Sequence, residues 1–207
     1  MLGFYNYTVI LTYMGLACSF IGMVNALQGN IRIALLCLML SGLCDMFDGK
    51  VARTRKSTDL EKRFGIQIDS LCDLICFGVF PAIIGYGMGI RSVFGLFCMF
   101  IYVLSALIRL SYFNVMEEER QNGTTEKRKN YEGLPVTTVA IIIPAVFLLK
   151  LINGIPFAII YPIILLILSG AFTIKFNVKK PIGKEVALMV STGMIVFILV
   201  AKFGGRL

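Results

Sequence analysis

Four aspartates interrupt two long apolar runs, and that placement limits the possible folds more than any other feature of the chain. Asp45 and Asp48 close "IALLCLMLSGLCDMFDG" (residues 33–49), and Asp69 and Asp73 sit inside "IQIDSLCDLICFGVF" (residues 66–80). The chain is 57% hydrophobic and only 15% charged, where a soluble domain carries about 25% charge. Its apolar residues fall in seven blocks, roughly 7–27, 31–47, 65–89, 92–115, 135–152, 155–174 and 185–203. Each block approaches the length a helix needs to cross a bilayer, about 17–25 residues. The expected fold is therefore an all-α integral membrane bundle of about six to eight helices, with seven the best count. Residues 1–207 read as a single domain with no internal repeat.

Basic residues are distributed unevenly. The connections 50–63, 116–134 and 175–184 hold 14 of the 20 Lys and Arg residues. The positive-inside rule puts that side in the cytosol. Seven spans then leave the N-terminus in the cytosol and the C-terminus outside. "MLGFYNYT" lacks the basic start of a cleaved leader, so the first block is expected to serve as its own insertion signal. The six cysteines lie in or beside apolar blocks and read as small packing residues.

The connections differ in character. "MEEERQNGTTEKRKNYEG" contains the turn pair Asn122-Gly123, and "KFNVKKPIGKE" carries Pro181 and Gly183 as breakers. "STDLE" offers Thr58 as an N-cap with Glu61 three residues on, a capping box. A helix is expected from near Asp59 through Asp73, with Asp59 and Glu61 serving its first turn rather than a site.

The second helix should run to about Arg53. On it Asp45, Asp48, Gly49 and Ala52 are spaced i, i+3, i+4, i+7, one helical face. Gly65, Asp69 and Asp73, spaced i, i+4, i+8, share a face of the next helix. Two antiparallel neighbours joined by a short connection set these faces opposite each other. One Asp at a span centre costs about 2.5–3.5 kcal/mol, less toward the interface, and four together repel. Such a cluster needs positive charge. Lys50, two residues from Asp48, points off the acidic face. Divalent cations are the better partner: carboxylates suit Mg²⁺, Mn²⁺ or Ca²⁺. The chain has no His, and Cys44, Cys72 and Cys76 do not share the acidic face. Gly49, Ala52 and Gly65 serve either close helix packing or close approach of a ligand. The residues alone reach a cytosol-facing, membrane-embedded carboxylate–metal site suited to phosphate chemistry.

In order, these positions read Asp45-x-x-Asp48-Gly49-x-x-Ala52-Arg53, then Gly65-x-x-x-Asp69-x-x-x-Asp73. The pattern closely resembles the signature of the CDP-alcohol phosphatidyltransferase family. The eleven residues between Arg53 and Gly65 make a connection longer than the family's usual one. The resemblance implies transfer of a substituted phosphate from a CDP-linked donor to an alcohol, with release of CMP. It implies two divalent ions, Mg²⁺ or Mn²⁺, held by Asp45, Asp48 and Asp69, with Asp73 completing the site and acting as general base. It further implies that Asp45, Asp48, Gly49, Ala52, Arg53 and Gly65 contact the CDP group. A homodimer is expected on the same ground, and a nucleic-acid partner is not.

"FGVFPA" (77–82), "IRLSYFNV" (108–115) and "EGLPVTT" (132–138) resemble segments of membrane-embedded phosphatidylserine synthases. In the middle one Ser111 and Tyr112 replace a more usual Ala-Arg. That resemblance implies CDP-diacylglycerol as donor and L-serine as acceptor, giving phosphatidylserine in the cytoplasmic membrane. Arg109, an arginine inside an apolar block, is the candidate for the acceptor's carboxylate or the lipid phosphate, with Asn114 as a weaker companion. Pro135 is read as a helix start. Glycerol 3-phosphate or an inositol phosphate is the alternative acceptor. A cation transporter with intramembrane carboxylates is the alternative of a different class.

Overall fold

The computed structural model describes residues 3–4, 7–52, 54–55, 58–123, 130–151, 156–179 and 184–204. Arg53, Lys56, Lys127, Arg128, Lys129, Lys180, Pro181 and Gly183, which entered the reading above, lie outside them. The described chain is helical except for one short two-stranded ribbon. Helix α1 spans Ile10–Leu27, α2 Ile31–Ala52 and α3 Asp59–Asp73. A π-helical turn, Leu74–Val79, joins α3 without a break to α4, Phe80–Gly87. Then come α5 (Val93–Gly123), α6 (Val139–Leu148), α7 (Phe157–Thr173) and α8 (Lys184–Phe203). With α3 and α4 counted as one rod, the seven apolar blocks become seven helical rods. Four stretches are long and apolar enough to cross a bilayer: Ile10–Leu27, Asp59–Gly87, Val93–Arg120 and Glu185–Phe203. Val136–Leu148 and Phe157–Thr173 are apolar but shorter.

Helix α5 departs from the expected boundary. It runs eight residues past Val115, to Gly123. Its "MEEER" segment is made of good helix formers, and Arg120 bonds back to Glu117 at 2.6 Å, an i,i+3 pair that favours helix. Helix α3 begins where the capping box places it. Thr58 Oγ1 accepts from the Glu61 N–H at 3.3 Å, and the Thr58 N–H donates to Glu61 Oε2 at 2.9 Å. Pro135 precedes a 3-10 turn, Val136–Thr138, that leads into α6.

Small residues set the packing of the first two helices. The buried face of α1 is Gly15, Ser19, Gly22 and Ala26, a stripe that lets backbones come close. A Cβ on Gly22 would stand 2.7 Å from the Cys37 Cβ and 2.3 Å from the Phe80 ring. Ser19 donates to the Ser41 hydroxyl at 2.9 Å inside that contact. On the far side of α2, Gly42 admits Ala140 of α6, whose Cβ would lie 2.5 Å from a Cβ at position 42. Outward-facing positions carry Phe20, Phe97, Phe100, Ile159, Ile167 and Leu188, all exposed and apolar, as a hydrocarbon solvent requires.

The centre is built around the α3–α4 rod. Pro81 has no N–H, so the Phe77 carbonyl lacks its usual helical donor. The buried Tyr102 hydroxyl of α5 donates to that carbonyl at 2.6 Å. The Phe80 N–H bonds to the Ile75 carbonyl, the wider i→i−5 register of the π turn. Tyr161 of α7 likewise donates to the Pro81 carbonyl at 2.8 Å. These two buried tyrosines tie α5 and α7 to one rod, and Tyr102 packs against the Phe172 ring.

The basic connections gather at one end. Arg63 pairs with Glu118 at 2.8 Å. Tyr7 and Thr54 share a hydroxyl hydrogen bond at 3.0 Å. Strand β1 (Asn130–Glu132) pairs antiparallel with β2 (Asn177–Lys179), joining the connections after α5 and α7. The opposite end holds the turn after α1, where Gly29 has φ +82°, and Arg32, which donates to the Ala201 carbonyl of α8.

Candidate active site

The acids stand at the basic end, between α2 and α3. These helices run antiparallel, so the order of acids reverses across the gap. Asp48 meets Asp69 nearer the connection, and Asp45 meets Asp73 about one turn deeper, each pair close enough to interact directly. Asp45, Asp48 and Asp69 each bring a carboxylate oxygen within 4.8 Å of the others. The structure thus brings together the four acids that helical spacing selected. Carboxyl groups so close need a proton or a cation between them.

The donor set fits a hard divalent ion. It is all carboxylate among the described residues, the ligand type that Mg²⁺, Mn²⁺ and Ca²⁺ prefer. Two oxygens on one Mg²⁺ are separated by at most about 4.2 Å, twice its bond length. A set within 4.8 Å therefore needs only side-chain adjustment to share an ion. No cysteine among the described residues joins that set: Cys72 and Cys76 are buried, and Cys44 packs on Gly15 of α1.

Two glycines flank the acids with open space. A Cβ on Gly49 or Gly65 would meet nothing within 4 Å. Neither glycine serves helix packing, unlike Gly22 and Gly42, so both leave room beside the carboxylates. Ala52 is exposed one turn nearer the connection.

One participant comes from outside the acidic helices. Thr12 of α1 donates its hydroxyl to Asp48 Oδ2 at 3.1 Å, and Asp48 is only 8% exposed. Spacing within α2 and α3 could not reveal it, since the contact depends on how closely α1 packs. The small-residue stripe on α1 was the available signal.

Helix α5 holds α3 in place. Ser70 donates to Asn114 Oδ1 at 2.6 Å, and Asn114 Nδ2 donates to Gln67 Oε1 at 3.4 Å. The Asn114 amide is therefore engaged with the residues that flank Asp69. Arg109 is buried, at 8% exposure. It lines a cavity between α5 and the end of α7, together with Tyr112, Phe172, Thr173, Ile174 and Lys175.

Comparison with known proteins adds a second, independent line. The family described as CDP-alcohol phosphatidyltransferase matches residues 5–175. A CDP-diacylglycerol–serine O-phosphatidyltransferase of Saccharomyces cerevisiae is 35% identical over 158 residues, covering 69% of this chain and 56% of that protein. An archaetidylserine synthase of Methanothermobacter thermautotrophicus is 31% identical over 140 residues, covering 67% of this chain and 56% of its own. A CDP-diacylglycerol–serine O-phosphatidyltransferase of Bacillus subtilis is 28% identical over 129 residues, 61% of this chain and 67% of that one. The chain spans a little over half the length of the yeast and archaeal relatives it matches.

Proposed function

Because the chain belongs to the CDP-alcohol phosphatidyltransferase family, we propose that it transfers the phosphatidyl group of CDP-diacylglycerol to L-serine, giving phosphatidylserine and CMP. The convergence of Asp45, Asp48, Asp69 and Asp73 from two antiparallel helices carries this reading. The serine acceptor is supported by relatives from yeast and a bacterium that are named as CDP-diacylglycerol–serine O-phosphatidyltransferases, and by an archaeal one named as an archaetidylserine synthase.

Asp45, Asp48 and Asp69 would hold the divalent ions, two of Mg²⁺ or Mn²⁺, against the donor's diphosphate. Bound there, such ions make phosphorus more electrophilic and stabilise the departing CMP. Gly49 and Gly65, with open space at their Cα atoms, admit the cytidine nucleotide beside the helix backbones. Ala52 borders it, and the family resemblance assigns Arg53, the next residue in sequence, to its phosphates. Asp73 accepts the proton of the serine hydroxyl as that oxygen attacks the phosphorus bearing the diacylglycerol. The bond from that phosphorus to CMP breaks, and CMP leaves with the electron pair. A carboxylate is a weak base for an alcohol, so positioning supplies much of the effect. Asn114 keeps α3, and with it Asp69 and Asp73, at a fixed distance from α5. Arg109 receives the serine carboxylate or the lipid phosphate.

The whole chain acts as one domain, 1–207, in the cytoplasmic membrane, as a homodimer. Its basic end, and so the acids, faces the cytosol. Lipid tails then stay in the bilayer while the CDP head enters from the water. The deciding experiment is an acceptor screen with purified protein, CDP-diacylglycerol and Mg²⁺ or Mn²⁺, following CMP release. L-serine should support turnover, and glycerol 3-phosphate and inositol phosphate should not. Turnover with glycerol 3-phosphate and none with serine would overturn the serine reading.

A further inference from the structure

The cavity between α5 and α7 holds two cations, and the proposed function uses only one of them. Its volume is about 160 Å³, well below the ~300–1,000 Å³ of a pocket for a drug-sized ligand. It is a place for one small group, not for a nucleotide. Arg109, 8% exposed, forms part of its wall inside the apolar bundle. Lys175, exposed just beyond the end of α7, lines the same cavity, and its Nζ stands 5.0 Å from the centroid of the Tyr112 ring. A cation over an aromatic face is attracted by the ring quadrupole. Tyr112 therefore acts as a platform that keeps the long Lys175 side chain beside the cavity. Thr173 adds a hydroxyl to the wall.

The depth of the cavity matches that of the acids. Two hydrogen bonds fix the antiparallel register of α5 against the α3–α4 rod: Ser70 to Asn114, and Tyr102 to Phe77. Arg109 precedes Asn114 by five residues and Asp73 follows Ser70 by three. At 1.5 Å per residue those offsets are about 7.5 and 4.5 Å along the axes. Counted from the Ser70–Asn114 bond, Arg109 thus lies about 3 Å deeper than Asp73. Counted from the Tyr102–Phe77 bond instead, Arg109 lies about 4.5 Å to the other side, so the two bonds together place it within about one helical turn of the level of Asp73. Two positive side chains around a small cavity at that level suit one anionic group, through charge-assisted hydrogen bonds.

We infer that Lys175, steadied on Tyr112, completes with Arg109 a two-cation subsite between α5 and α7 for a small oxyanion: a carboxylate or a phosphodiester. The inference rests on the proposed transfer reaction and deepens it. The carboxylate source is the amino-acid acceptor, and the phosphodiester source is a lipid headgroup.

The test uses full-length protein in vesicles or detergent with CDP-diacylglycerol. Lys175→Ala should raise the KM for L-serine about tenfold, the worth of one charge-assisted contact. The KM for CDP-diacylglycerol should stay unchanged and kcat should hold within about twofold. Lys175→Arg should keep the serine KM within about threefold of wild type, and Tyr112→Leu should raise it by about that factor as the platform is lost. Competition by 3-hydroxypropionate, which keeps the hydroxyl and carboxylate of serine, should weaken in Lys175→Ala. A raised KM for CDP-diacylglycerol, or lost stimulation by anionic vesicles, with serine KM unchanged assigns the subsite to the lipid phosphate. Wild-type values for both substrates in Lys175→Ala overturn the inference. Equilibrium binding of radiolabelled L-serine separates the two readings. Wild-type protein that binds no serine and turns over another alcohol defeats the serine assignment. The subsite then stands or falls on the effect of Lys175→Ala on that alcohol's KM.

Discussion

Thr12 is the smallest component of the site and the one least visible in the sequence. Its hydroxyl satisfies one oxygen of a buried carboxylate and so fixes the orientation of Asp48, a proposed cation ligand. Hydrogen bonds of this kind to metal-binding groups are worth about 10–100-fold in affinity. Thr12→Val should weaken Mn²⁺ binding by about tenfold, read by titration in the absence of substrate, while leaving the fold intact. Asp73→Asn keeps size and hydrogen bonding but removes the proposed proton acceptor. Turnover should fall below detection while CDP-diacylglycerol binding is largely spared, and wild-type rates would remove Asp73 from the base role. The acids themselves were legible because helical spacing is a property of one segment. Asp45, Asp48, Asp69 and Asp73 align on two faces whatever else the chain does. Thr12 lies 33 residues before Asp45, and only the packing of α1 on α2 joins them.

Element boundaries were legible where the chemistry is local. The capping box at Thr58 and Glu61 fixes the start of α3, and Pro135 marks the approach to α6. The π turn at Leu74–Val79 was not legible. It depends on Pro81 removing one donor and Tyr102, from another helix, replacing it. Tyr102→Phe leaves the Phe77 carbonyl without that donor in a buried setting, a loss of about 1–3 kcal/mol. The expected outcome is a lower thermal midpoint together with a reduced kcat, because the turn begins one residue after Asp73. The α1–α2 contact offers a sharper test. Gly22→Val places methyl groups where Cys37 and Phe80 already stand, and overpacking of this kind costs about 1–3 kcal/mol. A lowered thermal midpoint in detergent checks it, with Gly49→Ala as the control of near-native stability, since its Cβ meets nothing within 4 Å.

At the scale of the whole molecule, charge sorts the chain into two ends. Connections that are far apart in sequence meet through Arg63–Glu118 and through the β1–β2 ribbon. The sidedness is testable in a variant with its six cysteines replaced. A cysteine at Glu118 should react with an impermeant maleimide only from the cytosolic face, and one at Arg91 only from the other. The grouping of connections was readable from composition because the insertion machinery reads composition too; the ribbon was not, since three-residue strands carry no pattern. The glycine stripe of α1 has a further consequence. Gly15 brings α1 close to Cys44, the neighbour of Asp45, with 3.4 Å left for a Cβ, and the same approach delivers Thr12 to Asp48. The depth of that groove therefore sets the surroundings of Asp48 from a helix wholly outside the acidic motif. On the proposed metal role, exchanging the first helix between relatives should shift the Mn²⁺ affinity of the site while the acidic motif stays identical.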